Sequence, residues 1–135
     1  MIERYAVNYG WGHQPGWSVD VHVTLVGALR GAAAVAAVRQ WWVGLPESER
    51  PAEVGWRYAG GALLRVTPSG EAAASVEIRS RGEDAFDTIG WYADEVTDLV
   101  DASADSNPGQ GVVLLWSELP VEAPGLWTAS AASLD

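Results

Sequence analysis

From Trp17 to Val26 the chain alternates residue by residue. Trp17, Val19, Val21, Val23 and Leu25 fall on one face, and Ser18, Asp20, His22 and Thr24 on the other. Successive side chains of a strand point to opposite sides, so strict period two implies one buried and one wet face. That pattern belongs to an antiparallel sheet, because parallel strands are apolar on both faces. Ile2 to Tyr9 reads as a preceding strand. The turn-rich residues 10–16 would join the two into a hairpin with a long loop.

The remaining chain reads as two helices set among further strands. Ala28 to Val43 is alanine-rich, with Val35, Val38 and Trp42 at helical spacing, Gly44 as a stop and Pro46 just beyond. Residues 46–52 carry two prolines and alternating charge and read as an exposed loop. Val54–Tyr58, Ala62–Thr67 and Ala73–Ser80 read as a meander, turned by Gly60-Gly61 and by Pro68-Ser69-Gly70. Asp84 to Ala102 reads as the second helix, with Phe86, Ile89, Ala93, Val96 and Val100 as its apolar stripe. Val112 to Trp116 is a continuous apolar run, short enough for a buried strand.

The order ββαβββαβ predicts an α+β domain: an antiparallel sheet of about six strands with two helices packed on one face. A ferredoxin-like βαββαβ core with an added hairpin is one wiring of that order. Residues 1–119 are expected to form one domain and residues 120–135 an extended C-terminal tail that packs through Trp127. A chain of 135 residues is long enough to bury roughly two-thirds of its unfolded surface, so a self-sufficient core is feasible.

Composition removes several function classes. With no cysteine there is no disulfide framework, thiolate zinc site or cysteine nucleophile. Met1 to Tyr5 lacks a basic segment followed by an apolar one, and no apolar run reaches the roughly twenty residues of a membrane span. A cytoplasmic protein is the expectation. Net charge is −10, and lysine is absent. Residues 69–135 hold thirteen acids against two arginines, whereas residues 1–68 hold five against six. Such a chain repels the phosphate backbone, so nucleic acid is not an expected partner.

The second helix carries the candidate partner-binding residues. Asp84, Asp87, Trp91, Asp94, Asp98 and Asp101 recur at steps of three and four, roughly opposite the apolar stripe, with Asp105 past the helix end. Like charges at that spacing oppose helix formation by a few tenths of a kcal/mol per pair, a cost that function would justify. An acidic helix bearing an exposed aromatic suits occupation of a basic surface on another protein, where opposite charge steers the encounter and the aromatic anchors it. The leading expectation is therefore an inhibitor or immunity-type module for a basic protein. A solvated helix face on an acidic protein produces the same pattern.

Eight tryptophans support a second expectation, a small-molecule-binding protein or enzyme with a Trp-lined cavity between sheet and helices. Its candidate lining is Trp11, His13, Trp17, Asp20, His22 and Trp41. A third expectation is a homodimer joined through an edge strand or through whichever of Trp41 and Trp42 faces outward, since adjacent helical residues cannot both point into one core. His13, Asp20 and His22 have the residue types of a two-histidine, one-carboxylate metal site, but strand polar faces carry such residues by chance. No phosphate loop, nucleophile elbow or distinctive carboxylate pair is present. No catalytic residue, metal or cofactor is assigned.

Overall fold

The computed structural model describes residues 1–9, 22–82 and 84–120. Strand β1 runs over His22–Arg30, helix α1 over Ala32–Val43, β2 over Arg57–Ala59, β3 over Ala62–Pro68 and β4 over Ala73–Arg81. Helix α2 spans Ala85–Ser106 and β5 spans Val113–Glu118. The five strands form one antiparallel sheet in the order β2-β3-β4-β1-β5. The class is thus α+β, with five strands among the described residues where about six are predicted.

The sheet's inner face is set by register. Leu25 lies opposite Ile78, which lies opposite Leu64 on its other side, and Leu29 sits between Ala74 and Leu114. Side chains directly opposite one another in an antiparallel pair point to the same face. These residues therefore form one apolar layer, in which Leu25, Leu64, Ile78 and Leu114 are fully buried. α1 covers it through Ala34, Val35 and Val38, and α2 through Ile89, Ala93, Val96 and Val100. Burying each large aliphatic side chain contributes about 1.5–3 kcal/mol. Thr97, fully buried inside α2, donates its hydroxyl to the Ala93 carbonyl at 2.7 Å, so it adds no unsatisfied polar atom to this layer.

Several predicted boundaries move. Residues 2–9 are not a strand: only Ile2 pairs, in parallel, with Leu114. The hairpin they were to form would extend into residues 10–21, which lie outside the described residues, as do Glu83 and residues 121–135 of the expected tail. Ala28 to Arg30 belong to β1, not to a helix, because both neighbouring strands pair with them. Gly31 alone links β1 to α1, at φ +125°, a conformation that residues with a Cβ rarely adopt. Val54 to Trp56 precede β2 as a turn that follows a short 3₁₀ helix over Pro51–Glu53, rather than as strand. α2 runs four residues beyond its predicted end, which places Asp105 inside it. β5 is not buried on both faces: Leu114 and Trp116 point inward and Leu115 outward, 39% exposed.

The C-terminus of α1 has no basic residue of its own. Arg57 of β2 supplies the charge, its guanidinium donating to the carbonyls of Val43 and Leu45 at 3.1 and 2.8 Å and lying 4.9 Å from the Trp42 ring centre. A cation there complements the helix dipole.

Candidate functional site

α2 presents the acidic stripe along its outer side. Asp84, Asp87, Trp91, Asp94 and Asp98 are exposed, Asp101 is half-exposed, and Trp91 is 71% exposed. A shallow groove lined by Gly60, Asp87, Thr88 and Tyr92 adjoins the indole. Burial, and then the charge of Glu95, raise the pKa of Tyr92 above the ordinary tyrosine value.

The stripe has a cation that the sequence does not announce. The N-terminal segment leaves the edge of β5 and runs back along α2. Arg4 bridges Asp94 at 3.1 Å, Asp98 at 2.8 Å and Asp101 at 3.4 Å. This relieves the like-charge repulsion along the middle turns of the helix. All four groups are about half exposed or more, so the pairs are weak and salt-screened. The Asp98 hydrogen bond, more than any other contact, raises the pKa of Arg4. Further along, Val7 crosses Gly90, where a Cβ would collide with its Cγ2. Tyr9 then donates from its hydroxyl to Asp87 at 2.5 Å, and its ring meets that of Phe86. That hydrogen bond raises the pKa of Tyr9. Asp87 and the Asp94–Asp101 group are thus engaged from either end, with Trp91 open between them.

Tyr5 in the same segment packs its ring 6.4 Å from that of Trp116 and donates to Glu118 at 2.6 Å. Burial, and then this hydrogen bond, push its pKa well above the ordinary tyrosine value. A raised pKa in the folded state stabilises the fold below pH about 10, and that stability is lost as pH climbs through the folded value. Urea unfolding at a series of alkaline pH values should therefore show a steeper loss for the native chain than for Tyr5→Phe. Parallel curves would remove Tyr5 from this role.

The cavity-lining candidates are not brought together among the described residues. His22 is buried at the start of β1 on the sheet face away from the helices, while Trp41 packs at the core margin from α1. Trp11, His13, Trp17 and Asp20 lie outside the described residues. Trp41 and Trp42 are both half-buried, and the Trp42 indole donates to the Leu64 carbonyl at 2.8 Å. Neither sheet edge is a long open strand: β2 has three residues, and Leu114 of β5 is bridged by Ile2. Among the described residues no group of three His, Asp or Glu side chains is placed to hold a metal ion, and no helix is long and apolar enough to cross a membrane.

The sheet face away from the helices carries residues that sequence reasoning missed. Arg65 and Glu77, directly opposite on β3 and β4, form a bidentate pair at 2.8 and 3.0 Å. The guanidinium carbons of Arg65 and Arg79 lie 4.4 and 4.7 Å from the centre of the buried Trp56 ring. The signal lay in β4: Glu77, Arg79 and Arg81 alternate with Ile78 and Ser80, so both arginines of the acidic half fall on one face. Comparison with protein-family models, with curated proteins and with solved structures finds no match to this chain.

Proposed function

We propose that the chain is a protein-binding module that docks on a basic surface through the outer side of α2, in the manner of an inhibitor or immunity protein. The observation that carries this reading is Trp91, 71% exposed about a third of the way along a 22-residue helix and flanked by exposed Asp87, Asp94 and Asp98. An aromatic held on a rigid helix loses little conformational freedom on binding and fills a pocket well, and surrounding charge sets the on-rate. The net charge of −10 favours a cationic partner from a distance. We further read the wiring β1-α1-β3-β4-α2-β5 as a ferredoxin-like core with β2 as an added edge strand, and the protein as cytoplasmic.

Calorimetric titration against basic proteins, beginning with the product of the neighbouring gene, tests the docking reading. A 1:1 complex is expected, weakened at least tenfold by Trp91→Ala and by the triple variant Asp87→Arg, Asp94→Arg, Asp98→Arg, and weakened further by salt. Circular dichroism melting establishes that each variant is folded, since the triple variant also removes two of the partners of Arg4. Undiminished binding by a folded triple variant would take α2 out of the interface.

A further inference from the structure

A groove of about 600 Å³ lies between α1 and the β3–β4 turn. Helical spacing builds its first wall. Ala32, Ala36, Arg39 and Val43 follow one another at steps of four, three and four, which places them along one side of α1. The three apolar members of that row are exposed. Pro68 and Glu71 of the turn form the second wall. Backbone pairing fixes where Glu71 stands along the helix. The Gly31 N–H donates to the Ala72 carbonyl at 2.8 Å, so Glu71 lies beside the start of α1. Arg39 is two turns further on, roughly 10 Å along the axis from Ala32.

The charges on this groove are few, opposite and unmatched. Arg39 is the one charged residue of α1, and the sequence has no acid from Val21 to Pro46. Glu71 is the one carboxylate among the lining residues. Both side chains are exposed, and neither makes an ion pair or a side-chain hydrogen bond among the described residues. Arg4, Arg57 and Arg65, by contrast, each hold a carboxylate. A molecule of net charge −10 repels its own copies over most of its surface. Here one cation and one anion cancel, and each can meet its opposite on a copy turned end for end.

We infer that the groove is a self-association surface, in which two copies of this chain pair α1 against α1 about a two-fold axis. With the helices antiparallel and the axis between Val35 and Ala36, Arg39 falls opposite the partner's Ala32 and beside the partner's Glu71. An isologous interface makes every contact twice, so the same pair forms again on the other side of the axis. Ala32 and Ala36 have no side chain beyond Cβ, which lets the helix axes approach to about 8 Å, the close end of the usual range. Val43 then reaches past the start of the partner's helix toward the partner's turn. One 12-residue helix and one turn bury less than the roughly 800 Å² per partner of a stable complex, so the dimer is weak, with a Kd on the order of 100 µM. No lining residue of the groove belongs to α2, so this pairing is separate from the docking proposed above.

Sedimentation equilibrium of the full-length protein, at concentrations up to the order of 1 mM, should show monomer and dimer in exchange. Arg39→Glu and Glu71→Arg each set like charges against each other at both ends of the interface, and each should weaken association by roughly tenfold or more. Both positions are exposed, so both variants should keep the native melting temperature. Mixed in equal amounts, the two variants should form a mixed dimer about as tightly as the native chain, because each supplies the charge that the other lacks. One chain carrying both changes should also regain native association. Ala36→Gln, beside the axis, should hold the helices apart and abolish the dimer, whereas Trp91→Ala should dimerise as the native chain does. A monomer at every concentration would overturn the assignment, as would a dimer indifferent to Arg39→Glu and Ala36→Gln. Loss of the dimer on Trp91→Ala would overturn it in favour of α2. Failure of the two single variants to complement each other would overturn the two-fold pairing. None of these outcomes depends on whether α2 binds a basic partner.

Discussion

Trp116→Ala is expected to cost about 3–5 kcal/mol, the range for removing a well-packed core aromatic. Trp116 is 9% exposed and does three things at once. Its ring lies over Gly27 of β1 and packs against Tyr5. Its indole nitrogen donates to the Glu3 carbonyl at 3.0 Å, and its backbone N–H donates to the Glu3 carboxylate at 2.9 Å. Alanine leaves a void on the inner face and detaches the indole from the N-terminal segment. Total stabilities are about 5–15 kcal/mol, so a fall in melting temperature on the order of 10 to 20 °C should follow. Differential scanning calorimetry measures it. A loss below about 1 kcal/mol would mean that the segment and ring are not packed as described.

Gly27→Val is the complementary change, expected to cost about 1–3 kcal/mol or more. Gly27 sits in β1, an interior strand, opposite Val76 on one side and Trp116 on the other. A Cβ there would lie 2.8 Å from Cζ3 of the Trp116 ring, closer than side chains tolerate. The ring cannot swing away cheaply, because its indole nitrogen is held by Glu3. The two positions share one volume, so their effects should not add. Gly27→Val combined with Trp116→Ala should be less destabilised than the sum of the singles, because valine then enters the space left by the ring. Chemical denaturation of all four proteins closes the cycle. Strict additivity would show that the valine strains the strand itself and not its contact with the ring.

Much of the sheet was legible because its signals are local. Gly60-Gly61 and Gly70 mark turns, and β3 and β4 follow within a residue at each end. The stripe of Ile89, Ala93, Val96 and Val100 marks the buried side of α2, and the aspartates fall opposite it. The failures are non-local. Ala28-Leu29-Arg30 is good helix sequence, yet pairing on both flanks holds it in a strand, an instance of tertiary contacts overriding propensity. Residues 2–9 carry strand-like residues but lie across α2 and the edge of β5, a position fixed by Arg4, Tyr5 and Tyr9 finding partners some 80 to 110 residues away. The aspartate stripe was readable; its internal cation was not.

The placement of β1 has a consequence for how the chain acquires its shape. This strand is nearest the beginning of the chain among the five, yet it is flanked by the last two, β4 and β5. During synthesis its apolar side chains emerge with neither neighbour available, and the final pairing waits until Glu118 has cleared the ribosome. Such distant closures slow folding relative to a fold built from local contacts. Until β4 emerges β1 offers two unsatisfied edges to any passing strand, and until β5 emerges it offers one, so chaperone dependence during expression should track the delay before β5 appears.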